Sequence, residues 1–370
     1  MSGSRAGPQS GSGIPAPAEA WREIESRLRA AGFPLVGACP AAPSRFAPEF
    51  REWLRQGCHG EMAYMAEAVE ERLDPAALVP GARSVICVAL RYHDGCGDAA
   101  LPGPEVPGAR PRGRVARYAR GRDYHEVLRE RLEPLAREWR TRWDPHRFRI
   151  CVDTAPLLER EHAARAGLGR VGKHTLLIGR TGGSWLLLGG IVTTMELPVA
   201  ESAPEDPCGG CTRCIDACPT GAIEPWRVDA SRCLSYLTIE HAGPVAPALA
   251  AGVGEWLFGC DICQEVCPHN QPTRRSRRMG AEASLRGEGT LDLLQLLGWR
   301  EASPERLAQT AVLRRATLAM LKRNAILILS ARGWVRANAE CAAALRRAAA
   351  DPEEDAGVRD AALRALAAAG

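Results

Sequence analysis

Eight of the fourteen cysteines in this 370-residue chain lie between Cys208 and Cys267. The first run is Cys208-x2-Cys211-x2-Cys214-x3-Cys218-Pro219, and the last is Cys260-x2-Cys263-x3-Cys267-Pro268. Three closely spaced thiolates cover one face of an iron–sulfur cubane, and the fourth sulfur has to come from elsewhere. Where two such runs are present, the last cysteine of each crosses to the other cluster. Eight thiolates therefore predict two [4Fe–4S] clusters. Cys208, Cys211 and Cys214, with Cys267, make the first set. Cys260, Cys263 and Cys218 belong to the second, whose own run is one sulfur short, and Cys233 fills the vacancy. The plain alternatives are zinc or buried free thiols. Zinc takes four ligands, usually in two pairs, rather than crossed runs.

Clusters of this kind move electrons singly, so another part of the chain must use them. Asp153 is a candidate. It stands at the end of an apolar run, Phe148-Arg-Ile-Cys-Val-Asp153, where an α/β fold opens its ligand sites. A carboxyl flanked by apolar residues there is expected to have a raised pKa and to serve as a general acid. It reads equally well as the N-cap of a helix starting near Pro156. Gly167-Leu-Gly169-Arg-Val-Gly172 has the letters of a nucleotide-binding loop, but it follows a helical pattern rather than a strand. It reads better as backbone that approaches a bulky group closely.

The elements that position these residues can be read from periodicity. Helical spacing runs from Ala20 to Gly32, from Phe46 to Gln56, from Glu61 onward, from Asp123 to Arg142 with a break expected at Pro134, and from Leu157 to Ala166. Apolar, β-branched runs at 33–39, 84–92, 148–153, 176–178 and 184–194 read as strands. Cys39, Cys87 and Cys151 lie in such runs and are expected in the core. Residues 94–112 are rich in Gly and Pro and read as a loop. The alternation predicts an α/β domain over 19–200. A ferredoxin-type two-cluster module follows at 201–280, and an α-helical, HEAT-like segment at 281–370. Residues 1–18, rich in Gly, Ser and Pro, are expected to be a disordered tail.

Composition narrows the class. Net charge is +4 and 46% of residues are hydrophobic, so bulk charge does not announce a nucleic-acid binder and a sizeable core is available. Lysine occurs only at 173 and 322. The first residues lack the apolar stretch of a signal peptide, and no run is long enough to span a membrane. A soluble, cytoplasmic protein is expected, since disulfide frameworks belong to small secreted chains.

Several longer stretches resemble one family, the epoxyqueuosine reductases, cobalamin-dependent iron–sulfur enzymes of tRNA queuosine synthesis. They include Gly57-Cys-His-Gly-Glu-Met-Ala-Tyr-Met65, Arg72-Leu-Asp-Pro75, Ala116-Arg-Tyr-Ala-Arg-Gly-Arg-Asp-Tyr-His125, Val152-Asp-Thr-Ala-Pro156, Ala166-Gly-Leu-Gly-Arg-Val-Gly-Lys-His-Thr175, Arg232-Cys-Leu-Ser-Tyr-Leu-Thr-Ile-Glu240 and Gly259-Cys-Asp-Ile-Cys-Gln-Glu-Val-Cys-Pro268. The resemblance implies a corrinoid-binding α/β domain with Asp153 as proton donor. It implies cofactor contacts at Gly172, Lys173 and His174, and in the motifs of Arg72, Tyr118, Ser235 and Asp261. It implies that cobalamin, reduced through the two clusters by an external low-potential donor, converts epoxyqueuosine to queuosine in a tRNA anticodon loop. Ala155, Arg170 and His269 depart from the family's usual residues on loops expected at the cofactor.

With that resemblance, Arg274, Arg275, Arg277 and Arg278, and Lys322 and Arg323 beside Asn324, are expected to follow RNA phosphates. No membrane partner is expected, and the chain is expected to act as a monomer. The competing readings are a corrinoid reductive dehalogenase, which usually carries an export signal, and a two-cluster electron carrier without its own catalysis.

Overall fold

The computed structural model describes residues 15–93, 95, 97–198, 205–274, 280–300 and 314–370. Most of the expected tail, and Cys96, Arg275, Arg277 and Arg278, lie outside the described residues. The strand Ser84–Arg91 is the spine of the first half. It pairs with Leu35–Pro40 on one side and Leu186–Thr193 on the other, and Phe148–Cys151 completes a four-stranded sheet. Every neighbouring pair is antiparallel. The alternation of strands and helices is thus realised without parallel crossovers.

Ser84–Arg91 is buried along its whole length, because both sheet faces are covered. Successive side chains leave a strand on opposite sides. Ile86, Val88 and Leu90 accordingly join the large core beneath the helix Tyr124–Arg142. Val85, Cys87 and Ala89 join a smaller core with the helix Glu159–Arg165, and Cys39 and Cys151 are buried there as expected.

The helix Tyr124–Arg142 starts at Asp123, whose carboxylate accepts from the His125 backbone N–H at 2.9 Å. Val127, Leu128, Leu132, Leu135, Ala136 and Trp139 form its buried face. Trp139 and Trp143 stack with ring centres 6.0 Å apart and pack on Phe148. A Phe-sized side chain buried in this way stabilises the fold by roughly 1.5–3 kcal/mol. The expected break at Pro134 does not occur. Pro134 is exposed, so the carbonyl it leaves unpaired one turn earlier can turn to water. The expected helix from Glu61 is a single 3-10 turn, Ala63–Met65.

A second sheet ties distant parts of the chain together. Arg112–Val115 pairs in parallel with Trp256–Phe258 and antiparallel with Thr290–Asp292. A Cβ on Gly113 would stand 2.8 Å from Leu257 and Leu293 and 3.1 Å from Ile328, so only glycine lets these elements close. The helix Leu318–Ala331 packs on Trp256–Phe258 and on the helix Leu234–Ile239. Ala339–Ala350 and Ala356–Ala369 pack against one another, and Ala356–Ala369 lies on Leu318–Ala331.

The charged residues Lys322 and Arg323, expected at RNA phosphates, are 2% and 5% exposed. Lys322 pairs with Glu354 at 2.5 Å. Arg323 donates to the carbonyls of Leu237, His241 and Gly243, each at 2.6 Å. Asn324 donates to Thr238 and Leu257 carbonyls. This helix is enclosed on nearly every side, so its polar residues serve as internal fastenings and not as a phosphate-facing surface.

Candidate active site and cysteine quartets

The two cysteine runs fold into short helices, Arg213–Asp216 and Ile262–Glu265, which pack on each other. Cys208, Cys211, Cys214 and Cys267 line one small cavity, with His174, Arg213 and His269 around them. The Cys267 thiol is pushed up by burial and then by Cys208, Cys214 and Cys211, which face it. The second quartet sits deeper. Burial drives the Cys263 thiol well above its ordinary range, and neighbouring Cys233 and Cys218 are among the groups that add to this. Cys260 is raised likewise, by burial and then by Cys263 and Cys233. Cys233 and Cys260 also pack against the main core. Crowded thiols whose anions repel are a donor set suited to a cationic iron core. Among the described residues no three His, Cys, Asp or Glu groups converge on one metal-ion position. A cubane does not ask for that, because each of its irons takes its own sulfur.

Backbone donors already face several of these sulfurs. The Lys173 N–H lies 3.4 Å from Cys208 Sγ, and the Ala222 N–H lies 3.3 Å from Cys218 Sγ. The loop carrying Cys208 is tethered from two sides. Arg170 pairs with Glu205, and His269 Nε2 meets the Pro207 carbonyl at 2.9 Å. The departures Arg170 and His269 therefore brace the first quartet and do not open onto Asp153.

Asp153 follows the strand Phe148–Cys151 in a tight turn with φ of 49°. That left-handed backbone is uncommon for a residue with a Cβ and marks a locally strained loop. It is not a helix cap, since the helix Glu159–Arg165 begins after Leu158. Its carboxylate Oδ2 lies 3.0 Å from His125 Nε2. The other ring nitrogen, Nδ1, lies 2.7 Å from Asp123 Oδ1. The imidazole stacks on Tyr124, with ring centres 4.0 Å apart.

The expected raised pKa of Asp153 is not found. Neighbouring protein displaces water and pushes it up, although its side chain is 59% exposed, but the hydrogen bond and charge of His125, then the Tyr124 hydroxyl and Arg315, outweigh this and hold it below its ordinary value. His125 moves the opposite way. Burial favours its neutral form, yet Asp153 and Asp123 together raise it. A ring held between two carboxylates is best matched as imidazolium, which can donate from both nitrogens. Glu159, close by, is pushed up to about 8 by burial and then by the Asp153 charge. Its Oε1 is a buried atom without a hydrogen-bond partner. Neither His125 nor Glu159 was singled out by the sequence reading. His125 falls inside a quoted motif, and only the fold brings it to Asp153 from 28 positions away.

The expected cofactor residues divide. Tyr118 packs against Tyr124 and Phe258, and burial first, then the charges of Asp153 and Asp261, raise its pKa. Arg72 donates to the Tyr64 carbonyl at 2.9 Å, and its Nε is buried and unpartnered. Ser235 lies in the helix that starts after Cys233. Asp261 is 1% exposed; its Oδ2 accepts from the Arg117 backbone and guanidinium, while Oδ1 has no partner. A Cβ on Gly172 would lie 2.7 Å from the Ile178 Cδ1 methyl and 3.1 Å from the His174 ring, so a side chain there would have to displace them. Burial and then Arg160 push His174 down to about 4, so its ring is neutral, with Nε2 unpartnered. Lys173 departs from the expectation, because its ammonium is committed to the Cys208–Cys211 loop. It donates to the Gly209 carbonyl at 2.6 Å and the Cys211 carbonyl at 3.1 Å.

The chain is similar to known proteins over most of its length. Residues 72–154 match the family model described as epoxyqueuosine reductase QueG, DUF1730, and residues 207–270 match the 4Fe-4S double cluster binding domain. An epoxyqueuosine reductase of Xanthomonas campestris pv. campestris is 41% identical over 306 residues, 82% of this chain and 84% of that one. One from Alicycliphilus denitrificans is 40% identical over 336 residues, covering 90% and 93%. A crystal structure of epoxyqueuosine reductase with a tRNA-Tyr epoxyqueuosine-modified tRNA stem loop superposes with a TM-score of 0.80 at 28% identity, over 95% of this chain and 90% of that one. A selenomethionine-labelled epoxyqueuosine reductase gives 0.78 at 29% identity, over 95% and 91%. The chain belongs to the epoxyqueuosine reductase family.

Proposed function

We propose that this chain reduces epoxyqueuosine to queuosine in the anticodon loop of a tRNA, with Asp153 as the acid at the epoxide oxygen. The observation that carries the residue assignment is the Asp123–His125–Asp153 array, with Asp153 Oδ2 3.0 Å from His125 Nε2. Two clusters belong on the two cysteine quartets. Cobalamin would be held on the Asp153 side of the cysteine module, by the family motifs that carry Arg72, Tyr118, Gly172, His174, Ser235 and Asp261. Arg72 Nε, His174 Nε2 and Asp261 Oδ1 are buried polar atoms that lack partners, and a large amide-fringed ligand can meet such atoms. Bound there, cobalamin would supply low-valent, strongly nucleophilic cobalt chemistry.

The chain's own part is to hold and move the proton. An epoxide oxygen leaving as an alkoxide is a poor leaving group, so a positioned acid contributes roughly 100- to 10,000-fold. At rest the proton sits on His125 Nε2 and faces the Asp153 carboxylate. As the oxygen opens, the His125 Nε2 proton moves to the Asp153 carboxylate and on to that oxygen, leaving His125 neutral until it takes up a new proton from water. Arg72, Tyr118, Gly172, His174, Ser235 and Asp261 form the cofactor-side wall, while Lys173 turns its side chain and its backbone N–H to the outer quartet. Cys208, Cys211, Cys214 and Cys267 make the outer electron port. Cys218, Cys233, Cys260 and Cys263 make the inner one, which an external low-potential donor fills through the outer.

The tRNA assignment rests on the family and on the related complex with a modified stem loop, and it does not use Lys322 or Arg323. The closing helices 318–331, 339–350 and 356–369 are read as a HEAT-like stack, and the chain as a monomer. No helix among the described residues is long and apolar enough to cross a membrane. The direct test is to reconstitute the protein with iron, sulfide and cobalamin, add a low-potential reductant and epoxyqueuosine-tRNA, and seek queuosine by mass spectrometry. Cluster-loaded protein that takes up no cobalamin and forms no queuosine would overturn the assignment.

A further inference from the structure

Lys173 is one of the chain's two lysines and is only 8% exposed. Its buried ammonium has carbonyl partners but, among the described residues, no carboxylate within ion-pairing distance. Nζ donates to Gly209 and Cys211 carbonyls, at 2.6 and 3.1 Å, and lies 5.6 Å from the ring centre of Trp226. The backbone is held as well, since the Trp226 N–H donates to the Lys173 carbonyl at 3.0 Å. The contrast with Lys322 is instructive. That equally buried lysine has Glu354 at 2.5 Å.

Burying an ammonium without an anion is costly. The side chain could reach water if its stem were free, yet it is folded back onto the loop between Cys208 and Cys211. Both residues lie in the first quartet, and the Lys173 N–H points at Cys208 Sγ. A four-iron cluster held by four thiolates is an anion, and taking up one electron adds a further negative charge. We infer that the outer cluster is the counter-ion of Lys173, and that this ammonium raises the potential of that cluster relative to a neutral side chain. Lys173 is a positioning residue for electron entry. It favours the reduced outer cluster, which gains one electron from the donor, and leaves the inner cluster untouched. This rests on the two-cluster reading above.

The experiment is a potentiometric titration with dithionite, followed by electron paramagnetic resonance, on reconstituted full-length protein. Wild type, Lys173→Met, Lys173→Gln and Lys173→Arg are compared, with iron and sulfide counted in each. At a fixed potential the reduced-to-oxidised ratio of the outer cluster falls about tenfold in Lys173→Met and Lys173→Gln, a shift of ~59 mV for one electron. The inner cluster keeps its potential in the same sample, and Lys173→Arg stays near wild type. Neutral variants that lose the outer cluster while Lys173→Arg keeps it also support the inference, because charge and not shape is then what the cluster needs. An unshifted outer potential in fully loaded Lys173→Met overturns it, as does loss of the outer cluster in all three variants. Wild-type protein that holds fewer than two clusters overturns the two-cluster reading instead.

Discussion

Asp153 and His125 form a coupled pair, and their opposite shifts define a pH window. Asp153 is held low, so its share of the pairing is present above the ordinary carboxylate range and fades as pH falls through its lowered pKa. His125 is held high, so its share is complete below an ordinary imidazole pKa of about 6.5 and fades as pH rises through its raised pKa. Turnover should therefore fall on the alkaline side as His125 loses its proton. His125→Gln should lower kcat and remove that alkaline limb, measured as kcat against pH under saturating tRNA. Asp153→Asn should keep both clusters and cobalamin yet lose roughly 100- to 10,000-fold in turnover. An Asp153→Asn enzyme with wild-type kcat would sink its role as the acid.

At the scale of elements, the molecule is joined by contacts that sequence periodicity does not reveal. Arg323 fastens the helix Leu318–Ala331 to the 237–243 segment through three carbonyls. Arg323→Leu leaves those acceptors unpaired and should cost about 1–3 kcal/mol in unfolding titrations, the penalty for buried polar groups left without their partner. The same loss should appear without RNA present. Gly113→Ala should cost ~1–3 kcal/mol by overpacking against Leu257 and Leu293, read as a lower Tm. Pro134 lies in an exposed helical turn, so Pro134→Ala should raise Tm by restoring a backbone hydrogen bond.

At the scale of the whole molecule, the clusters proposed for the two cysteine quartets would act as cross-links. The first joins 208–214 to 267, and the second joins 218 and 233 to 260–263. Metal binding to such a set is coupled to folding. Removing iron with a chelator under oxidising conditions should lower Tm and raise amide exchange across the cysteine module before the sheet around Ser84–Arg91. Cys233→Ser should about halve the iron bound while leaving the outer cluster's resonance signal. Full iron content in that variant would exclude Cys233 from the set. The three-stranded sheet should make some of the disturbance spread, because Trp256–Phe258 shares its pairing with Arg112–Val115.

What the linear chain determined by itself was chemistry that depends on spacing. The cysteine runs prescribe two quartets because a cubane face matches three sulfurs two residues apart, and that rule needs no tertiary knowledge. Buried strands such as 84–91 were legible because a strand covered on both faces is apolar throughout. Tertiary structure decided everything that depends on which distant groups meet. It put His125 beside Asp153 and thereby reversed the expected direction of the carboxyl's pKa. It enclosed Lys322 and Arg323, whose charges in the sequence resemble a phosphate grip, and it turned Lys173 toward the outer quartet. The reason is the same in each case. Burial and pairing set the state of a charge, and both are properties of the neighbours that folding brings, not of the residues next to it in the chain.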